Sequence, residues 1–302
     1  MAGRVEAVAR LLILGLTGQL ATELIAQAPA EGWEVTALGR DVADFADPLA
    51  CAAALGELLP ADAVINAAAY TAVDRAESEE ALAHTINAET PGRLAALCAG
   101  RGVPFIHVST DYVFDGRKSG PYVETDLAAP QTAYGRSKLA GEHAVLDGGG
   151  RSLIARTAWV YSAHGHNFLK TMLRLGAERD ELRVVDDQHG CPTAAPELAR
   201  CLLVAARAMA ERRSDGGVYH LAGDGQTSWA GFADAIFDHA APHWKRRPAV
   251  IPITTAEYPT PAPRPANSRL DSSRFETGFG TRPFGWEACL GEIVKKILTS
   301  EK

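Results

Sequence analysis

The sequence predicts an α/β protein, a Rossmann-like doubly wound parallel sheet with a smaller α+β lobe toward the C-terminus. Three observations predict it. Short apolar runs without polar alternation recur through the first half of the chain, as expected of strands covered on both faces. Ala/Leu-rich helical stretches separate those runs, an alternation that builds a parallel sheet through crossover connections. The first run ends in a glycine-bearing turn, Gly15-Leu16-Thr17-Gly18, that opens a helix.

Taken in order, strands are expected over 11–14, 34–38, 63–66, 103–108 and 153–156. Helices are expected between them over 49–59, 91–99 and 132–146. This sheet domain spans about residues 8–160. Beyond it the pattern becomes irregular, with helices expected over 167–177, 196–212, 228–237 and 286–298 and a buried strand over 218–221. Seven of the 17 prolines fall between Pro242 and Pro265, which excludes a helix interior and requires extended or loop structure there. Residues 161–302 therefore read mainly as a second lobe, interleaved because about 196–221 returns to the sheet.

Composition narrows the function classes. The 302 residues are 47% hydrophobic and 22% charged, which excludes a disordered, collagenous or coiled-coil chain. The net charge is −7 and the densest basic cluster is Lys245-Arg246-Arg247, so neither nucleic acid nor an anionic membrane is an expected partner. The apolar run 11–14 is far short of the ~20 residues of a membrane span, and it ends in glycines rather than a signal-peptide cleavage pattern. The five cysteines form no CxxC pair and read as buried thiols in a reducing compartment, so a cytoplasmic protein is expected.

The turn after the first strand is built for a dinucleotide. Gly15 can turn at positive φ, Gly18 lets the backbone approach a pyrophosphate, and Ala21 replaces the third, packing glycine. Thr17, Gln19 and Leu20 share the turn and the helix N-terminus, whose free N–H groups and dipole favour phosphate. Arg40 ends the second strand, where a cation pairs with the 2′-phosphate of NADP, so NADPH is favoured. Asp41 follows directly and can accept a ribose hydroxyl, which leaves NADH open. Asp44 and Phe45 are placed at the adenine.

A second constellation carries acid/base chemistry. Tyr134 and Lys138 are spaced i, i+4, which sets both on one helix face. An ammonium near a phenol lowers its pKa from about 10, so the pair is a candidate general acid/base unit. Lys138 is also placed to hold the nicotinamide ribose. Thr110 follows a buried strand at the sheet edge where ligands of open α/β sheets bind, and its hydroxyl can reach the oxygen that Tyr134 would protonate. His107 and His189 show no metal-ligand spacing and read as structural.

Together these motifs resemble the extended short-chain dehydrogenase/reductases that act on nucleotide sugars. Within that group Asn66-Ala67-Ala68-Ala69-Tyr70, Val108-Ser109-Thr110-Asp111-Tyr112, Tyr134-Gly135-Arg136-Ser137-Lys138 and Arg156-Thr157-Ala158-Trp159 resemble the dTDP-4-dehydrorhamnose reductase family. So do Asp187-Gln188-His189-Gly190-Cys191-Pro192-Thr193 and Arg264-Pro265-Ala266-Asn267-Ser268-Arg269-Leu270-Asp271. The resemblance covers about residues 11–271.

The resemblance implies NAD(P)H-dependent reduction of the C4 ketone of dTDP-4-dehydro-L-rhamnose to dTDP-L-rhamnose, a step toward cell-wall polysaccharide. Thr110, Tyr134 and Lys138 would be catalytic, and Ala67, Ala68 and Ala69 would line the cofactor. Tyr70, Asp111, Tyr112, Trp159, Lys170 and Arg264 would meet the dTDP-sugar, with Arg269 a further candidate cation. Some members dimerise around magnesium, for which Glu23, Glu197 and Glu287 would be the ligands here, in a homodimer. Two alternatives stand beside the reductase. A nucleotide-sugar epimerase or 4,6-dehydratase shares the fold, but a dehydratase carries Asp-Glu after its threonine, where this chain has Asp111-Tyr112. A non-catalytic chain resembling the regulatory subunit of methionine adenosyltransferase is the other.

Overall fold

The computed structural model describes residues 8–300. Six parallel strands form the central sheet: β1 (Ala9–Leu14), β2 (Trp33–Leu38), β3 (Ala63–Asn66), β4 (Phe105–Thr110), β5 (Ser152–Thr157) and β7 (Gly216–His220). Their spatial order is β7-β5-β4-β3-β1-β2. The order reverses between β1 and β3, so the ligand crevice of such a fold opens past their carboxyl ends.

The unbroken apolar run of β1 is explained by burial on two faces. Leu11 and Ile13 join the core beneath α1 (Gln19–Gln27) and α6 (Ala195–Ala210). Leu12 and Leu14 join the opposite core, beneath α2 (Pro48–Leu58) and α3 (Thr90–Gly100). A third helix, α4 (Ala133–Leu146), covers this second face beside α3. Thr132 caps it by accepting the Gly135 N–H at 3.0 Å.

The face under α4 departs from the expected apolar strands. Asn66, His107, Ser109, Arg156 and His220 are all buried. The strands pair Asn66 with His107, Ser109 with Arg156, and Arg156 with His220. Glu142 of α4 closes part of this layer. Its carboxylate takes the Arg156 Nε at 2.9 Å and Nη2 at 2.6 Å, and the Ser109 hydroxyl at 2.5 Å.

The second lobe packs α5 (Phe168–Glu178), α7 (Trp229–Ala240) and α8 (Leu290–Ser300) around Leu169, Leu173, Phe232, Ile236, Leu290 and Val294. One correction and one addition to the sequence reading arise here. The last helix begins at Leu290 rather than 286, because Trp286 is drawn into the lobe core, where its carbonyl accepts the Tyr161 hydroxyl at 2.5 Å. The proline-rich stretch is extended as expected. It also contributes β8 (Ala249–Ile253), paired parallel to β6 (Glu181–Val185), a two-stranded unit that local pattern did not reveal. No helix among the described residues is long and apolar enough to cross a membrane.

What positions α4 is a close backbone approach. A Cβ at Gly141 would lie 1.9 Å from the carbonyl oxygen of Asn87, in the π-helical turn Thr85–Glu89. A Cβ at Gly135 would lie 2.3 Å from the Tyr112 carbonyl oxygen. Alanine gains up to about 1 kcal/mol of helix propensity over glycine, whereas overpacking against rigid backbone costs about 1–3 kcal/mol. Gly141→Ala is therefore expected to lower the denaturant midpoint despite the better helix former, and an unchanged or higher midpoint would show that α4 can retreat freely.

Candidate active site

The dinucleotide turn adopts the backbone its glycines allow. Gly15 has φ +117° and its N–H donates to the Leu38 carbonyl. A Cβ at Gly15 would make ordinary contact with Ala21 and the Ala67–Ala68 backbone at 3.4–3.5 Å, so the positive φ is what calls for glycine. Gly18 is the N-cap of α1 without a side-chain cap, and nothing lies within 4 Å of where its Cβ would be. The helix therefore presents uncapped N–H groups to open space, which fits a phosphate. Thr17 is exposed beside it. Leu20 points into the core, so only its backbone faces the turn. The Gln19 side chain reaches across to the other lobe, accepting from Asn167 Nδ2 at 2.9 Å.

Arg40 is exposed at the end of β2. Among the described residues its side chain enters no hydrogen bond or ion pair, which fits a cation awaiting an anion. Asp44 is exposed and caps the Ala46 N–H. The Phe45 ring is buried with Leu12, Leu14 and Leu55, and its carbonyl accepts the Thr90 hydroxyl at 2.7 Å. Ala67, Ala68 and Ala69 leave the end of β3 at the crevice.

Thr110, Tyr134 and Lys138 come together, all buried, where β4 ends and α4 begins. Tyr134 packs edge-on against Tyr112, with ring centroids 5.4 Å apart. Burial pushes its phenol up to about 12, against the opposing pull of a hydrogen bond with Thr110. This corrects the expectation that Lys138 depresses the phenol. The lysine instead places Nζ 2.7 Å from the Val108 carbonyl oxygen and 3.2 Å from His107 Nε2. Burial also lowers the Lys138 amine to about 8, opposed by the nearby Glu142 carboxylate. His107, read from sequence as structural, lies against the lysine. Burial and that neighbour hold its imidazole well below the usual histidine range.

The Thr110 hydroxyl donates to Asp111 at 3.0 Å, and Asp111 Oδ2 is buried without a hydrogen-bond partner. Burial raises the Asp111 carboxyl to about 6, although Ser268 and Thr110 hydrogen bonds favour its ionised form. Ser268 arrives from the other lobe and was not among the sequence candidates.

The remaining substrate candidates divide. Trp159 adopts φ +50°, a left-handed backbone that is costly for a bulky residue and concentrated at functional sites. It stacks on Trp229 at 3.5 Å, and a Cβ at Gly190 would strike its ring at 2.5 Å. Trp229 escaped the sequence reading because only the fold brings α7 to β5. Tyr70 spends its hydroxyl on Glu79 at 2.6 Å, while its backbone is clamped by Asn87. Arg264 pairs with Asp74 at 2.7 Å, so its charge is partly committed to tying the proline-rich stretch to the loop after β3. Arg269 is held by Asn267, Ser119 and Gln226. Lys170 is half-buried on the first turn of α5.

The glutamates expected at magnesium gain no support from their surroundings in this chain. Glu197 Oε2 takes the Arg200 guanidinium at 2.8 Å and the Phe284 N–H, Glu23 lies 3.6 Å from His164, and Glu287 is exposed. No group of three or more His, Cys, Asp or Glu side chains is placed to hold a metal among the described residues.

Comparison with known proteins places this geometry in a family. The model described as RmlD substrate binding domain matches residues 9–299. The dTDP-4-dehydrorhamnose reductase of Burkholderia thailandensis is 45% identical over 302 residues, covering 96% of this chain and 99% of the relative.

The chain belongs to the dTDP-4-dehydrorhamnose reductase family.

The family member from Sinorhizobium fredii is likewise 45% identical, over 97% of this chain and 99% of its own. The crystal structure of the Bacillus anthracis dTDP-4-dehydrorhamnose reductase in complex with NADP superposes with a TM-score of 0.88 at 32% identity, covering 96% of this chain and 100% of that one. A UDP-glucose 4-epimerase from Brucella ovis, 17% identical with a TM-score of 0.78, shares the fold.

The raised Asp111 carboxyl has a pH signature. The folded protein holds this proton more tightly than the unfolded chain, so the stability it contributes is complete below about pH 4 and is lost as pH rises through about 6. Asp111→Asn, which mimics the protonated state, should gain Tm relative to wild type as pH rises from 4 to 7. A difference independent of pH would refute the buried, proton-holding carboxyl.

Proposed function

We propose that this chain uses NADPH to reduce the C4 ketone of dTDP-4-dehydro-L-rhamnose, giving dTDP-L-rhamnose. One observation carries the reading: a phenol and an alcohol meet at the carboxyl edge of the sheet that holds the dinucleotide turn, with a buried lysine amine one helical turn behind them. The dTDP-4-dehydrorhamnose reductases 45% identical over nearly the whole chain support it, as does the NADP bound by the Bacillus anthracis relative.

The cofactor's phosphates are assigned to the N–H groups around Gly15, Thr17, Gly18, Gln19 and Leu20, and its 2′-phosphate to Arg40. Asp44 flanks the adenosine half, and Ala67, Ala68, Ala69 and Lys138 flank the nicotinamide half. The bound nicotinamide supplies the hydride. Tyr134 donates its phenolic proton to the C4 oxygen as charge develops there, and the high phenol pKa keeps it protonated at neutral pH for that role. Thr110 turns its hydroxyl from Asp111 to the same oxygen, giving two donors to one developing oxyanion.

Trp159, stacked on Trp229, walls the sugar-nucleotide side. Tyr70, Asp111, Tyr112, Lys170 and Arg264 border it, the two cations facing the diphosphate. Five free cysteines, four of them buried, support a location in a reducing compartment, the cytoplasm.

The test is absorbance at 340 nm with dTDP-4-dehydro-L-rhamnose and each reduced cofactor in turn. Binding of NADPH without turnover would favour the regulatory alternative. Tyr134→Phe is expected to cut kcat by about 10²-fold or more, the lower end of what general acid catalysis contributes, and an unchanged kcat would remove Tyr134 from the mechanism. Arg40→Ala is expected to raise KM for NADPH more than for NADH, and equal effects would refute the 2′-phosphate assignment.

A further inference from the structure

The hydrogen bonds behind Lys138 have a direction that can be read from their far end. Asn66 Oδ1 accepts the backbone N–H of Ala68 at 3.0 Å. A backbone N–H can only donate, so this bond fixes the orientation of the Asn66 amide. Its Nδ2 then faces His107 Nδ1, 3.0 Å away, as a donor. His107 Nδ1 must accept, and a neutral imidazole that accepts at Nδ1 carries its proton at Nε2. Nε2 lies 3.2 Å from Lys138 Nζ. An ammonium has three N–H groups and no lone pair, so it cannot accept that proton, whereas an amine can. The amine then donates one N–H to the Val108 carbonyl at 2.7 Å.

Reversing the chain at any link sets two donors against each other. Proton at Nδ1 would confront Asn66 Nδ2, and a turned Asn66 amide would confront the Ala68 N–H. All three side chains are fully or almost fully buried, so water does not relieve such a clash.

We propose that His107 is a positioning residue that, through Asn66 and the Ala68 N–H, holds Lys138 as an uncharged amine. Burial shifts the Lys138 amine in the same direction but only to about 8, which alone would leave it mostly protonated near pH 7, so the order of donors and acceptors carries the proposal. The other groups around the lysine do not supply the missing polarity. Glu142, one turn along α4, is paired with Arg156 and Ser109. Asn87 spends its amide on Tyr70 and Ser137, and Tyr134 is the neutral phenol one turn back. Charging Lys138 thus requires the His107 tautomer and the Asn66 amide to turn together. Asn66 ends β3, where the Ala67–Ala69 segment assigned to the cofactor begins, so the charge on the lysine is coupled to that segment.

The proposal rests on the reading of Lys138 as the partner of Tyr134, but its first test needs no turnover. The ring nitrogens of ¹⁵N-histidine-labelled, ligand-free protein report the tautomer directly, with His107 identified by loss of its signals in His107→Gln. The expected result is a neutral His107 protonated at Nε2 near pH 7. A proton at Nδ1, or a charged ring, overturns the proposal even if the enzyme proves an active reductase.

A second arm uses Asn66→Asp, whose carboxylate accepts from Nδ1–H and so reverses the chain. His107 should switch to the Nδ1–H tautomer, and the limb of the kcat/KM pH profile set by Lys138 should move up by about one pH unit or more. His107→Gln can keep the original order of acceptor and donor and should leave that limb where wild type has it. An unmoved limb in Asn66→Asp refutes the coupling, and if that variant does not fold, the wild-type tautomer decides alone.

Discussion

Lys138 carries its amine out of water on a helix pressed against the polar face of a parallel sheet, and the site is arranged around that burial. A buried amine must find partners within the protein. Here they are the Val108 carbonyl and His107, and His107 in turn needs Asn66. The approach is possible because Gly135 and Gly141 let α4 touch backbone on both sides. With a side chain at either position the helix would stand off, and the phenol and amine would move with it.

The same layer shows how the sheet is used twice. Toward solvent, the carboxyl ends of β1 and β3 open the crevice for a dinucleotide. Beneath α4, the ends of β4, β5 and β7 hold a dry row of polar groups, with the Glu142–Arg156 pair filling the space below Lys138. A buried ion pair adds little net stability after desolvation. What it does here is keep a carboxylate near the lysine from being free to accept its proton, which leaves His107 as the group that decides the lysine's charge.

The second lobe reaches the site at a few points. Ser268 touches Asp111, Arg264 ties down the loop at Asp74, and Trp229 stacks on Trp159. These contacts join segments 70 or more residues apart. They place an aromatic pair and a buried carboxyl on the side of the site that holds Tyr134 and Thr110.

Much of this was legible in the sequence because it depends on local rules. Apolar runs with nothing polar for solvent announced the strands, the glycine turn announced the phosphate end of the crevice, and i, i+4 spacing set Tyr134 beside Lys138. A period-2 reading of Phe105-Ile106-His107-Val108-Ser109 would have exposed the polar row, since His107 and Ser109 point the same way. Other features had no local signal. The Phe45 ring is core, β6 and β8 pair across more than 60 residues, and the glutamates expected at magnesium are committed elsewhere or exposed. The chain by itself determined which chemical groups are available and on which helix face or strand end each stands, because propensity and periodicity act over a few residues. Only the tertiary structure decided which of those groups are desolvated and which hydrogen-bond partners they meet, and a proton's position depends on those two conditions.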